Sequence, residues 1–399
     1  LKLLREDILT TELQKVSSES QRRELYSMDW LDDKDKIIEG AFAECYLKMH
    51  PMICIHGILF TIDGIVSDES GIKNDIYSMV RPYVTSGLAR KVEQLLQTIK
   101  LEAYSEPLPL QTDRIHVANG TLFLNGEFSE QKDFCLNRLP VIYDPDVEKP
   151  ARWLKFMEEL LNPDDILTLQ EYMGYMLLPT TKAQKMMLII GKGGEGKSRI
   201  GLVLRELFGN NMYSCSLQKI EVDKFARANL EYMLITVDDD MKLEALPQTN
   251  HIKSIVTLED QIDLERKGQQ SFQGVVYARL IAFGNGGLHA LYDKTDGFYR
   301  RQLILTTKDK VDGREDDPYF IDKLRKERDG IFLWALEGLQ RLVSNNYVFT
   351  ESVDAKQNLV DAQEEGNNIL AFMKSEGYLQ FEIGKKISST DFYNIYVSW

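Results

Sequence analysis

One eight-residue segment constrains this chain more than any other. Residues 191–198 read Gly-Lys-Gly-Gly-Glu-Gly-Lys-Ser, which fits the spacing GxxxxGK[ST]. The segment follows an apolar run at 186–190 and precedes a helical pattern at 200–208. Glycines in such a turn let successive backbone N–H groups surround an anion at a helix N-terminus. The sequence therefore predicts a strand, a glycine-rich loop and a helix that together bind phosphate.

The same segment contains the residues that we expect to contact the nucleotide. Lys197 would reach the β and γ phosphates of ATP, and the hydroxyl of Ser198 would ligate Mg²⁺. The remaining expected contacts are Gly191, Gly193, Gly194, Glu195, Gly196 and Arg199. A glycine-rich turn without a ligand is the alternative, but the flanking strand and helix patterns favour ATP and Mg²⁺ as cofactors.

Four short apolar runs predict the strands of a mainly parallel sheet that is buried on both faces. They lie at 186–190, 232–237, 280–283 and 303–305. Three of these runs are followed by distinctive residues, namely the glycine-rich segment, the aspartates at 238–240, and Asn285. Ligands of open α/β sheets bind at the carboxyl ends of the strands, so we expect these residues to converge.

The aspartates and Asn285 supply the expected catalytic oxygens. We assign Asp238 to Mg²⁺ and Asp239 to the attacking water, which it would orient or deprotonate, although the two roles could be exchanged. Asn285 would position that water or the γ phosphate. The alternatives are a solvated acidic turn at the aspartates and an ordinary Asn-Gly turn at Asn285.

Two arginines, Arg300 and Arg301, precede the last apolar run. An arginine at this place can reach the γ phosphate bound by a neighbouring subunit and stabilise the charge that develops during phosphoryl transfer. One of the two is therefore predicted to be a catalytic arginine that acts between subunits. The alternative is an ordinary pair of surface arginines.

Residues 251–273 predict a hairpin with Lys267 and Gly268 at its tip. Cations on such a tip could follow a nucleic-acid backbone, and an aromatic ring beside them could stack on a base. The predicted DNA contacts are Lys253, Arg266, Lys267 and Phe272. The alternative is a solvated loop on an acidic protein.

With these motifs in this order, the chain resembles superfamily 3 helicases of the phage and plasmid primase-helicase type. Within that family it is most similar to replication-initiator helicases of bacterial mobile islands and phage satellites. The resemblance covers about residues 50–399 and includes segments on both sides of the motor motifs. These segments are 118–122, 137–140, 169–175 and 334–339.

The resemblance implies an α/β fold with an AAA+ P-loop NTPase core that forms a hexameric ring and hydrolyses ATP between subunits. It also implies translocation along single-stranded DNA. Two residues depart from the family pattern. Glu195 stands where asparagine is common, and the strand at 232–237 is followed by aspartate where glutamate is more usual. Because neither change removes a backbone N–H group, we expect ATP hydrolysis to survive both.

The motifs divide the chain into four expected regions. These are a mixed α/β N-terminal region (1–115), a hairpin with a helical collar (116–178), the AAA+ motor (179–310), and C-terminal helices with a truncated winged helix (311–399). The first residue is Leu1 and a helical pattern reaches Trp399, so we expect the chain to be a piece of a longer polypeptide.

Composition excludes several other classes of protein. The formal net charge of −14 argues against a protein that coats nucleic acid by bulk electrostatics. No apolar stretch approaches the roughly 18 to 20 residues that a membrane span requires. The cysteines lie far apart without a CxxC pair, which favours a reducing cytoplasm over a disulfide framework.

The leading hypothesis is an ATP-dependent DNA helicase that unwinds DNA at replication initiation of a mobile element or phage. Its expected partners are single-stranded DNA, replication-origin DNA, further copies of this chain in a hexamer, and a primase, a polymerase or another replication protein. The alternative is an ATP-switched initiator or loader that binds the origin without processive unwinding. A monomeric P-loop kinase is a third hypothesis, against which Asn285 and the arginine pair weigh.

Overall fold

The computed structural model describes residues 29–242, 245–257, 261–268, 270–290, 293, 296–310, 317–366, 369, 372–373, 375 and 377–399. Contacts divide the chain into two compact units, residues up to 109 with 133–136, and residues 110–132 with 137–399. In the parts of the chain that are described, no helix combines the length and apolar character needed to cross a membrane.

The first unit is mixed α/β. Its strands form an antiparallel meander in the order β1-β2-β3. Its elements are α1 (Glu39–Met49), β1 (Met52–Ile55), β2 (Ile58–Thr61), β3 (Gly64–Ile65), α2 (Ser70–Val80) and α3 (Leu88–Glu102). The apolar residues of α3 recur three and four positions apart, and Val92, Leu95, Leu96 and Ile99 are its buried residues. This spacing places one helix face in the core of the unit.

The second unit begins with an antiparallel sheet and two helices. Its elements up to residue 175 are β4 (Arg114–Val117), β5 (Gly120–Phe123), β6 (Phe128–Ser129), α4 (Ala151–Leu160) and α5 (Pro163–Tyr175). Asn-Gly pairs, which are common in hairpin turns, lie at 119–120 and 125–126, where the chain connects β4 to β5 and β5 to β6. Gly126 takes a φ of +92°, a conformation that favours glycine.

A five-stranded parallel sheet forms the centre of the second unit, in the order β13-β7-β12-β9-β8. The strands of this sheet are β7 (Met186–Ile190), β8 (Met212–Ser214), β9 (Ile235–Met241), β12 (Arg279–Gly284) and β13 (Gln302–Thr306). Two further strands, β10 (Gln261–Leu264) and β11 (Phe272–Val275), form a separate antiparallel hairpin. The sequence therefore predicts the mainly parallel sheet correctly, whereas β8 is an additional strand.

One predicted strand is displaced along the chain. The run at 232–237 becomes β9, which begins at Ile235 and continues to Met241. Tyr232 cannot begin the strand because its φ is +63°. The strand continues past Val237 because Asp238 lies opposite Ala282 of β12, and Met241 lies opposite Gly284. All three aspartates therefore lie within the strand, whereas the sequence predicts that they follow it.

Helices cover the sheet and continue to the end of the chain. The described helices after β7 are α6 (Lys197–Phe208), α7 (Leu217–Val222), α8 (Lys224–Ala228), α9 (Asn250–Thr257), α10 (Asp296–Tyr299), α11 (Phe320–Arg325), α12 (Arg328–Ser344), α13 (Val353–Glu365) and α14 (Ser389–Ser398). Residues 311–316 and several positions between 367 and 376 lie outside the described residues. The partial winged helix predicted for 311–399 stays a prediction.

Candidate nucleotide-binding site

The glycine-rich loop leaves the sheet at the end of β7, an inner strand that lies between β13 and β12. The Gly191 N–H donates to the carbonyl of Gly284, at 3.1 Å, and the Thr307 N–H donates to the carbonyl of Ile190, at 2.8 Å. These bonds hold the start of the loop against both neighbouring strands. A Cβ on Gly191 would clash with the Thr307 hydroxyl, so this close approach requires glycine.

The loop then turns into α6 through three glycines with positive φ. Gly193, Gly194 and Gly196 have φ values of +112°, +83° and +111°. Residues other than glycine rarely adopt these backbone conformations, which explains why the segment is rich in glycine. The turn delivers Lys197 and Ser198 to the first turn of α6, where unpaired helix N–H groups favour an anion.

A cavity of about 660 Å³ opens at this edge of the sheet. This volume lies within the range of small-molecule sites. Five groups of described residues line it: the loop with the start of α6, the end of β9, the end of β12, one face of α4, and the region of α11. The lining residues are Gly193, Gly194, Glu195, Gly196, Lys197, Ser198, Arg199, Asp239, Asp240, Phe283, Gly284, Asn285, Arg152, Lys155, Phe156, Glu159, Asp317, Phe320 and Lys323.

The three consecutive aspartates have different environments. Asp239 and Asp240 are exposed and line the cavity. Asp238 is buried, and its Oδ2 accepts a hydrogen bond from the Leu217 N–H at 2.9 Å. Burial raises the pKa of the Asp238 carboxyl. The sequence assigned the metal to Asp238, but its carboxylate engages the start of α7 instead of the cavity, because β9 continues past it.

Asn285 follows β12, the strand that lies between β7 and β9. The parallel strands run in one direction, so the residues that follow them lie at the same edge of the sheet. Asn285 is therefore between the glycine-rich loop and Asp239, and all three line the cavity. The convergence expected from the sequence is present for Lys197, Ser198, Asp239 and Asn285.

Arg300 and Arg301 lie at the other edge of the sheet. The Arg301 carbonyl accepts from the Met186 N–H, at 2.7 Å, where β7 begins, whereas the loop follows Ile190 at its end. The length of β7 separates the two edges by about 13 Å. Arg300 is exposed, whereas Arg301 is half-buried and donates to the carbonyl of Gly297. Burial, together with the nearby Arg300 charge, lowers the pKa of Arg301.

The predicted DNA contacts lie on two elements, the hairpin and α9. Arg266 and Phe272 meet on the hairpin, where the guanidinium lies 4.7 Å from the ring centroid, but Arg266 also forms an ion pair with Glu231. Lys267 is exposed at the hairpin turn. Lys253 lies on α9 and forms an ion pair with Asp293 at 2.6 Å. Of the four predicted contacts, Lys253 and Arg266 therefore have acidic partners within the chain.

Within the glycine-rich loop, Glu195 contacts two expected phosphate ligands. Its Oε2 accepts from the Lys197 ammonium at 2.8 Å, and its Oε1 accepts from the Gly193 N–H at 2.7 Å. Burial opposes ionisation of Glu195, but the hydrogen bonds from Lys197 and from loop N–H groups outweigh it and lower the pKa of the carboxyl. Glu195 is therefore an anion in this loop at neutral pH.

A family model described as a family of unknown function, DUF5906, matches residues 189–301. This range begins in β7 and ends at Arg301, so it contains every residue to which the sequence assigned a catalytic role. No curated protein matches the chain.

Among solved structures, the chain is similar to the apo structure of the NrS-1 C-terminal region (305–718). The TM-score is 0.54 at 12% identity over 83% of this chain and 76% of that chain. The A form of the same apo region gives a TM-score of 0.51 at 11% identity, over 79% of this chain and 72% of that chain. At such low identity these similarities show a shared fold.

Several lining residues carry no local sequence signal. Asp240 belongs to the aspartate run, but no individual role was predicted for it. Phe156 on α4 and Phe320 on α11 are in edge-to-face contact, with ring centroids 5.3 Å apart, and the Arg199 guanidinium lies 5.7 Å from the Phe320 centroid. Lys155 and Lys323 add positive charge beside these rings. Only the tertiary structure brings these helices to the loop.

Proposed function

We propose that the chain is an ATP-driven DNA helicase motor of the superfamily 3, AAA+ type that acts at replication initiation of a phage or mobile element. One observation carries this proposal. Lys197 and Ser198 come after β7, Asp239 lies near the end of β9, and Asn285 follows β12. These three strands are neighbours in the parallel sheet, and the four residues line one cavity of about 660 Å³. This arrangement suits a nucleoside triphosphate with its metal, because it combines phosphate donors, a carboxylate and a water-positioning amide.

The site suggests specific roles for these residues. Ser198 and Asp239 would hold Mg²⁺, since a hydroxyl and a carboxylate are hard oxygen donors, and Mg²⁺ usually takes one or two protein carboxylates plus substrate phosphates. When bound, the ion would neutralise negative charge on the phosphates. Asp240 and Asn285 would orient the attacking water, and Lys197 would stabilise the charge of the γ phosphate.

A ring assembly is part of this proposal, and the position of Arg300 supports it. This exposed arginine lies at the edge of the sheet away from its own cavity, so it would act on the γ phosphate bound by the next subunit. Lys267, exposed on the hairpin tip, would contact single-stranded DNA in such a ring. A primase or polymerase is a further proposed partner, by analogy with the family that the sequence resembles.

The test is the ATPase rate of the purified chain with and without single-stranded DNA, measured beside its molar mass in solution. We expect DNA to stimulate hydrolysis and the mass with ATP to approach six subunits. Lys197→Ala should lower the rate by about a hundredfold or more, because a preorganised charge at the phosphate is lost.

Lys192→Ala is the matched control for this variant. Lys192 lies in the same loop, but its side chain is 81% exposed and pairs with Asp309 on the surface. Its removal should change the rate by less than about twofold, because exposed ion pairs contribute little. Hydrolysis that persists in Lys197→Ala would contradict the motor assignment.

The ion pairs of Arg266 with Glu231 and of Lys253 with Asp293 favour a second candidate, an ATP-switched initiator or loader. Two of the four predicted DNA contacts are neutralised within the chain, which weakens the case for a strongly basic translocating surface. Strand displacement distinguishes the two candidates. Equal displacement with ATP and with a non-hydrolysable analogue would support the switch, whereas displacement only with ATP would support the helicase.

A further inference from the structure

The glycine-rich loop already holds an anion, and that anion is part of the chain. The side chains of Glu195 and Lys197 are 4% and 8% exposed, so their ion pair is buried beneath the loop. A Cβ placed on Gly191 would lie 3.0 Å from the Lys197 ammonium and 3.1 Å from the Glu195 Oε1. The pair therefore lies directly against the backbone at the start of the loop.

The two donors that Glu195 engages belong to the expected phosphate-binding set. A phosphate chain bound in this loop would need the Lys197 ammonium and N–H groups such as that of Gly193. Charge-assisted hydrogen bonds of this kind are about twice as strong as neutral ones. A phosphate oxygen and the Glu195 carboxylate cannot occupy the same donors, and two anions at one place would also repel each other.

We propose that Glu195 is an internal competitor of the nucleotide, which occupies the phosphate-binding donors in the free chain and must be displaced when a triphosphate binds. The inference rests on the proposed nucleotide-binding function and adds a regulatory device to that site. Glu195 lines the cavity, so a displaced carboxylate has space on the same side of the loop. The device lowers nucleotide affinity without removing any phosphate donor.

The experiment measures the dissociation constant of a non-hydrolysable ATP analogue with Mg²⁺ for the full chain and for two variants. Glu195→Gln keeps the size of the side chain but removes its charge. We expect it to bind the analogue about tenfold more tightly, equivalent to about 1.4 kcal/mol. The gain is expected because a neutral amide forms weaker hydrogen bonds with the Lys197 ammonium and the Gly193 N–H than a carboxylate does, so a phosphate displaces it more easily.

Asp309→Asn is the matched control. Asp309 also pairs with a lysine of the loop, Lys192 at 2.8 Å, but both side chains are more than two-thirds exposed. This variant removes the same charge near the same loop and should change the affinity by less than about twofold. Thermal unfolding of each variant checks that the fold is retained, and Glu195→Asn repeats the measurement if Glu195→Gln unfolds.

The outcomes separate this inference from the proposed function. Equal or weaker binding by the Glu195 variants, with intact binding by the unaltered chain, overturns the competitor role and leaves the nucleotide site standing. An equal gain in Asp309→Asn assigns the effect to overall charge and also overturns it. If neither the unaltered chain nor any variant binds the analogue, both the inference and the proposed function fail.

Discussion

Three consecutive aspartates show how strongly local environment separates residues of one type. Asp238 is buried and bonded to the start of α7, whereas Asp239 and Asp240 are exposed in the cavity. A Cβ on Gly201 would lie 3.4 Å from the Asp239 Oδ1, so this carboxylate lies beside the helix that begins with Lys197 and Ser198. Among the three aspartates, Asp239 is therefore the one that this contact places beside the helix that carries Ser198, the proposed metal ligand.

Substitution of each aspartate by asparagine tests this assignment. Asp239→Asn should lower the ATPase rate by about a hundredfold, because it removes a charged ligand at the reacting phosphate. Asp238→Asn should retain most of the activity, since an asparagine oxygen can still accept from the Leu217 N–H. Steady-state kinetics with unfolding curves would decide. If Asp238→Asn loses activity while keeping its stability, the original sequence assignment would be restored.

Helices α5 and α12 approach closely because two glycines replace side chains at their crossing. A Cβ on Gly174 would clash with the backbone of Ala335 and Leu339, and one on Gly338 would clash with the backbone of Gln170. Polar contacts reinforce the crossing, including the Gln170 amide that donates to the Trp334 carbonyl at 2.8 Å. The helix pair contacts the sheet through Tyr172 of α5, whose hydroxyl donates to the Leu280 carbonyl of β12 at 2.7 Å.

Gly338→Ala should destabilise the second unit by about 1–3 kcal/mol, because overpacking forces the two backbones apart. The direction of the change in stability is informative, because a glycine-to-alanine substitution inside an exposed helix normally stabilises a protein by about 1 kcal/mol. Gln340→Ala, on the exposed face of the same helix, is the control and should be nearly neutral. Denaturant unfolding measures both. A stabilising effect of Gly338→Ala would show that the helices are not in close contact there.

The separation of residues along the sequence explains which parts of the fold and of the candidate site could be predicted. Lys197 and Ser198 lie in one contiguous motif, and the strands that deliver Asp239 and Asn285 have strong apolar patterns, so these residues were found. The end of β9 depends on pairing with β12, which the sequence does not show, so the sequence could not predict that Asp238 is buried against the Leu217 N–H. Phe156 and Phe320 reach the cavity from separate helices, and only tertiary packing brings them there.

At the scale of the whole molecule, the glycine-rich loop and Arg300 lie at opposite ends of the parallel strands. The loop follows the carboxyl end of β7, whereas Arg300 precedes β13 at the opposite edge. An arginine that stabilises charge on the γ phosphate must come within hydrogen-bond distance of it. The separation of about 13 Å along β7 excludes this contact within one subunit in this conformation. If Arg300 has the proposed catalytic role, it would therefore act on the cavity of a neighbouring copy.

Mixing two inactive variants tests this arrangement. Arg300→Ala subunits keep an intact cavity, and Lys197→Ala subunits keep an intact arginine, so an interface between the two types restores one complete site. In head-to-tail rings assembled at random from equal amounts, about a quarter of the interfaces have this pairing. We expect each variant alone to be inactive and the mixture to recover up to about a quarter of the unaltered ATPase rate. No recovery at any mixing ratio, in rings shown to contain both variants, would contradict a catalytic arginine supplied between subunits.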